Sequence, residues 1–152
     1  MSEIWLDSSI LNTNISLPCY GESHRLDRNR SGGGVLAFVK SNIYCIRRFD
    51  LESPNVEVLW LEMCLEKSIS FIFGVCYQPP NTNVQSRQQF ADAFSNALNL
   101  VLNDPDRIVI VQGDFNDLTL DKHINFNLPL SVLCTHTVFS SSYRILHAVI
   151  IF

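Results

Sequence analysis

The segment from Ile69 to Tyr77, Ile-Ser-Phe-Ile-Phe-Gly-Val-Cys-Tyr, most limits what this chain can become. Side chains on a strand alternate between two faces, and here apolar residues fill both, so the segment must be covered on each side. A strand of that kind belongs in the middle of a sheet inside a layered domain. The stretch before it, EVLWLEMCL from Glu57 to Leu65, is equally β-rich, and Glu66-Lys67-Ser68 between the two predicts a hairpin. Proline cannot donate to a ladder, so Gln78-Pro79-Pro80-Asn81 must leave the sheet.

The flanking segments fit the same architecture. Ser86-x-x-Gln89 has capping-box form, and Phe90, Ala93, Phe94, Ala97, Leu98, Val101 and Leu102 follow at helical spacing, which predicts one buried helix face. Asn103-Asp104-Pro105 ends that helix, and Arg107 to Gly113 predicts a further buried strand. Upstream, Gly34 to Lys40 reads as a short strand after the triple glycine Gly32-Gly33-Gly34, and Ile43 to Phe49 is expected to pair with it. Strand, hairpin, helix and strand together predict a layered α/β domain. With no repeat, low-complexity tract or linker, residues 1–152 are read as a single domain.

Hydrophobic residues make up 47% of the chain and charged residues 17%, which excludes disorder as a description of the whole. The apolar stretches are broken well before about 18 positions, so no membrane span is expected, and no basic start leads into a signal-peptide pattern. Cys19, Cys45, Cys64, Cys76 and Cys134 are odd in number and lack a CxxC pair, which argues against a disulfide framework or zinc knuckle and for a nuclear or cytoplasmic compartment. The net charge of −4 conceals a basic stretch: between Ser23 and Arg48, Arg25, Arg28, Arg30, Lys40, Arg47 and Arg48 face Asp27 alone. That stretch is either a solvated face or a surface for a phosphate backbone.

The sharpest chemical signal is Gly113-Asp114-Phe115-Asn116 at the exit of a predicted strand. A carboxylate and an amide two positions apart share one side of an extended chain, where they can ligate a hard cation or orient a water, although Gly-Asp-x-Asn is also a good turn. Tyr77 and Asn81 flank the rigid double proline, an arrangement that also serves as a plain strand end and turn. Glu3, beside Trp5, reads by itself as an exposed acid, and His24, His123 and His136 show no metal-ligand spacing.

Taken in order, the words SEIWLDSSI at 2–10, RLDR at 25–28, GGGVLAFVK at 32–40, EVLWLEM at 57–63, GVCYQPPN at 74–81 and IVIVQGDFND at 108–117 resemble the endonuclease/exonuclease/phosphatase superfamily. The resemblance is closest to the endonuclease domain of non-long-terminal-repeat retrotransposons, whose proteins also carry a reverse transcriptase. It implies an α/β fold, a four-layer αββα sandwich of two packed sheets flanked by helices, and hydrolysis of DNA phosphodiester bonds with Mg²⁺ or Mn²⁺. Carried onto this chain, the metal-binding glutamate is Glu3, the water-positioning aspartate is Asp114, and the neighbouring amide is Asn116. Tyr77 and Asn81 are expected near the scissile phosphate, and Arg28 near the nucleic-acid backbone, the last on grounds of charge.

The chain also departs from the family. The family's earlier strand with its active-site asparagine and its final Ser-Asp-His word have no counterpart, so the domain is expected to be cut at both ends. The apolar Ile4-Trp5-Leu6 and Val149-Ile-Ile-Phe152 fit that reading, although a docked terminal strand can end a domain in the same way. Ile4 replaces a usual threonine, and His147 stands at a position where the family has an aspartate whose negative charge histidine cannot supply. Weak or absent activity is therefore expected. The alternative is a non-catalytic nucleic-acid or protein binding module of the same fold, and a small-molecule or lipid phosphatase of the superfamily is a third class.

Overall fold

The computed structural model describes residues 2–65, 70–104 and 106–116, together with the backbone of 132–136. Within them the chain is mixed α/β, with two sheets and one α-helix. Strands β1 (His24–Leu26) and β2 (Val35–Ala37) form a two-stranded antiparallel sheet. Strands β3 (Tyr44–Arg47), β4 (Glu57–Cys64), β5 (Ser70–Tyr77), β6 (Ile108–Asp114) and β7 (Val132–His136) form a five-stranded sheet in that order.

The hairpin and central strand expected from the two apolar runs are present. β4 and β5 pair antiparallel from Glu57↔Tyr77 to Cys64↔Ser70, and β5 is the middle strand of five. Trp60 lies opposite Gly74, where a Cβ would come within 2.7 Å of the indole, so the missing side chain makes room for the ring. The turn residues Glu66-Lys67-Ser68 lie outside the described residues.

One face of the large sheet receives the small one. Val35, Ala37 and Val39 pack with Leu59, Leu61, Met63, Phe71, Phe73 and Val75. The other face receives helix α1 (Val84–Val101), whose Phe90, Phe94, Ala97, Leu98 and Val101 pack on Val58, Trp60, Ile72, Val109 and Val111. The layer order is therefore two-stranded sheet, five-stranded sheet, helix. Just past β2, Phe38 meets Tyr20 edge-on at 6.3 Å. Among the described residues no helix is long and apolar enough to cross a membrane.

Two expectations need correction. The segment around Ile43 does not pair with β2: β3 pairs with β4, from Tyr44↔Cys64 to Arg47↔Leu61. Both sides of β2 are already taken. Leu26 lies opposite Val35 in β1, and on the other side Ser2 bridges Val35 while the Ile4 and Trp5 amides donate to Gly34 and Gly33. A turn in which the Ile43 amide donates to the Lys40 carbonyl then carries the chain across to the large sheet.

The helix also starts earlier than the Ser86 box suggests. Asn83 is the N-cap, its side chain accepting from the Ser86 amide at 2.8 Å, and Val84 is the first helical residue. The apolar spacing beyond Gln89 is indifferent to this shift, because asparagine caps as well as serine and both signals lie within one turn. The end matches the expectation: the Leu102 amide donates to Leu98 at 2.8 Å ahead of Asn103 and Asp104. His123, His147 and the run from Val149 to Phe152 fall outside the described residues.

Candidate active site

The ladder registers bring three polar residues into one row at one end of the large sheet. Glu57 opens β4 opposite Tyr77, and Tyr77 closes β5 opposite Asp114, the last residue of β6. Cross-strand partners project to the same face, here the face that meets β1 and β2. Because β5 and β6 are parallel and joined through α1, this is the carboxyl end of both strands, where open α/β sheets commonly bind ligands.

Phe115 fixes the exit of β6. It is fully buried and packs edge-on against Phe90 at 6.4 Å and Phe94 at 6.2 Å, beneath α1. Burial of such a ring is worth roughly 1.5–3 kcal/mol, which anchors the loop while Asp114 and Asn116 remain partly exposed. The loop is then tied to the β5 exit. The Gln78 amide donates to the Asp114 carbonyl at 2.8 Å, Asn116 Nδ2 donates to the Gln78 carbonyl at 2.7 Å, and the Asn116 amide donates to Asp114 Oδ1 at 3.0 Å. Close approach of the two strands needs Gly113, since a Cβ there would fall 1.9 Å from the Cys76 carbonyl oxygen.

The triple glycine shapes the other wall. Arg28 donates from Nε to the Gly32 carbonyl at 2.9 Å and from Nη1 to Glu57 at 3.0 Å, and its guanidinium lies 5.7 Å from the centre of the Tyr77 ring. A Cβ on Gly33 would sit 2.3 Å from the Arg28 Cζ and displace the guanidinium, and the backbone there, with φ +81°, favours glycine. The other Glu57 oxygen accepts from the Gly34 amide.

Glu3 reaches the same place from the N-terminal segment. Its Oε1 lies 3.8 Å from where a Gly32 Cβ would be, next to Arg28, and it acts electrostatically on both Tyr77 and Glu57. Glu3 has φ 57°, a left-handed conformation that costs a non-glycine residue about 1–2 kcal/mol. Asn81 and Asn116 share positive φ, at 54° and 44°.

Burial pushes the Tyr77 phenol up to about 12, with Glu3, Asp114 and Glu57 adding to the effect and Arg28 opposing it. The hydroxyl is thus a hydrogen-bond donor at any physiological pH. Burial likewise pushes the Glu57 carboxyl up, the Gly34 amide and Arg28 holding it back.

Of the residues singled out in the sequence, the structure gathers Glu3, Arg28, Tyr77 and Asp114 around one point, with Asn116 alongside. Asn81 is exposed in the turn after Pro80, and it is Gln78 and Thr82 of that turn that line the adjoining cleft. Glu57 is the member that motif reading passes over. Its signal is an acid at the first position of a strand whose hairpin partner ends in Tyr77. The basic stretch is not an open cationic face: Arg25 pairs with Asp27, Arg28 with Glu57, Arg30 with Asp7, Arg47 with Glu52, and Arg48 with Asp50 and Glu62.

The donor set bears on which cation this site suits. Among the described residues no three His, Cys, Asp or Glu side chains converge as a metal-ligand group. Glu57 is engaged by Arg28 and Gly34, which leaves the carboxylates of Glu3 and Asp114. One or two carboxylates with retained waters suit Mg²⁺ or Mn²⁺ and do not suit a metal that needs a full protein cage. Compared with known proteins, the chain matches no family model, no curated protein and no solved structure.

Proposed function

We propose that this chain is a metal-dependent phosphodiesterase domain of the retrotransposon endonuclease type, weakly active at most, acting on DNA inside the nucleus or cytoplasm, with a four-layer sandwich as its fold. The observation that carries the reading is the row Glu57–Tyr77–Asp114 at the carboxyl end of β5 and β6, with Glu3 and Arg28 facing it. Six sequence words in family order converge on that one end of the sheet.

In this reading the Tyr77 phenol, protonated at neutral pH, donates to a non-bridging phosphate oxygen. Asp114 orients the attacking water and takes its proton as the water oxygen bonds to phosphorus, the bridging P–O bond breaks and the leaving oxygen takes a proton from solvent, while Asn116, held by its Nδ2 bond to Gln78, offers its amide oxygen to the same water. Glu3 would hold Mg²⁺ or Mn²⁺, which would supply neutralisation of the phosphate charge and a more acidic water. Arg28, already paired with Glu57, places positive charge beside the phosphate.

The test is nicking of supercoiled plasmid in Mg²⁺ or Mn²⁺ by the purified chain and by Asp114→Ala. Nicking, however weak in the parent, that is lost in the variant and stops with chelator supports the reading. The alternative is a non-catalytic binding module of the same fold, and the pairing of every arginine between Ser23 and Arg48 speaks against nucleic-acid binding through that stretch. A folded protein that never nicks, or nicks equally as Asp114→Ala, indicates that module.

A further inference from the structure

Beside the Tyr77 row lies a cleft of about 230 Å³ that the phosphodiester chemistry does not use. It runs from Arg28, Glu57 and Tyr77 over the end of the sheet to the first two turns of α1, bounded by the turn through Gln78, Pro79 and Thr82. We infer that this cleft is a subsite for one nucleobase of the strand whose phosphate lies at Tyr77; the inference rests on the proposed function and deepens it.

The lining carries the argument. Beyond Glu57 and Arg28, which neutralise each other, the polar groups are the uncharged amides of Asn55, Gln78 and Gln89 and the hydroxyls of Thr82 and Ser86. Amides present a donor and an acceptor together, the pattern that matches base edges, and they repel no neutral heterocycle. Val56 and Pro79, both partly exposed, and the buried Phe90 make up the apolar part of the lining, against which a flat ring can lie. A second phosphate would find no further cation here, since Arg28, the one basic lining residue among the described residues, already serves the phosphate at Tyr77 and is shared with Glu57 at 3.0 Å. Gln78 is held in place by its Nε2 bond to the Thr82 hydroxyl at 2.8 Å, while Gln89 stands exposed at the mouth. A rigid inner amide and an adaptable outer one suit recognition of a base entering from solvent.

The experiment titrates the full chain with the four deoxynucleoside 5′-monophosphates and with deoxyribose 5-phosphate, which lacks the base, by calorimetry. At least one base-bearing ligand is expected to bind about tenfold or more tighter than the base-free control, and Gln89→Ala is expected to erase most of that ratio. Gln89 is exposed on a helix that alanine favours, so the variant keeps its fold, checked by far-ultraviolet circular dichroism. Equal binding of base-bearing and base-free ligands, or a ratio untouched by Gln89→Ala, overturns the subsite. Plasmid nicking separates the two claims: nicking without base preference sinks the cleft alone, and base preference without nicking sinks the phosphodiesterase reading alone.

Discussion

Tyr77 and Asp114 are cross-strand partners at the last position of the parallel β5–β6 ladder. A phenol at the end of the central strand and a carboxylate at the end of its neighbour are thereby held side by side by main-chain hydrogen bonds. That single register turns two motifs 37 positions apart into one site.

The first prediction concerns Tyr77 itself. One of the four tyrosines is expected to titrate near 12 in the folded protein, read as phenolate absorbance against pH, and this component should vanish in Tyr77→Phe. Because the folded value lies above the ordinary 10, the protonated phenol stabilises the fold below about pH 10, and that contribution is lost as pH rises toward 12. A titration of all tyrosines near 10 in folded protein would contradict the buried placement.

Glycine substitutions should rank by the space available. Gly113→Ala must displace the Cys76 carbonyl and is expected to cost about 3 kcal/mol or more in denaturant unfolding. Gly33→Ala combines φ +81° with a collision against the Arg28 guanidinium, and is expected to cost roughly 1–3 kcal/mol. Gly21→Ala, whose nearest neighbour would be the Val39 carbonyl at 3.7 Å, is expected to stay within about 0.5 kcal/mol of the parent.

The helix start gives a sharp contrast. Asn83→Ala removes the acceptor for the Ser86 amide and is expected to destabilise by about 1 kcal/mol, whereas Ser86→Ala at the third helical position should cost a few tenths. Thermal unfolding of the pair decides which residue caps. The reverse order would place the start at Ser86.

Glu62 joins β4 to two arginines, accepting from Arg48 at 2.7 Å and Arg107 at 2.6 Å. Burial pushes its carboxyl up, but the hydrogen bonds from Arg107 and Arg48 outweigh it and leave the group below its ordinary 4.5. A depressed carboxylate contributes stability above its unfolded value and loses it as pH falls through the folded one. Glu62→Gln is therefore expected to lose up to about 1 kcal/mol at neutral pH and to flatten the stability profile below pH 4.5, seen in urea unfolding across pH.

The large features were legible because they rest on burial. Apolar residues on both faces of β5 demanded cover, and the register-independent spacing from Phe90 to Val101 demanded a helix face. The true partner of Ile43 to Phe49, β4 rather than β2, was not legible, because nothing in that segment tells which sheet edge is open; the N-terminal residues Ser2 to Trp5 had already occupied the edge of β2. The same blindness hid Glu57. Its role depends on Arg28 and Gly34, 29 and 23 positions away, which only the packing of one sheet on the other brings within reach. Charge counting also overstated the basic stretch, since Asp7, Glu52, Glu57 and Glu62 lie outside it in sequence and against it in space.

The central claim is that Glu3 and Asp114, brought to one end of the sheet from opposite ends of the described chain, act as parts of one site. The most direct test is a double-mutant cycle in plasmid nicking: the parent, Glu3→Gln, Asp114→Ala and both together, each shown to be folded. Groups that act as a unit fail together, so each single variant is expected to lose most of the metal-dependent nicking and the double variant to lose little more. Losses that multiply, or a Glu3→Gln protein that nicks as the parent does, would contradict it.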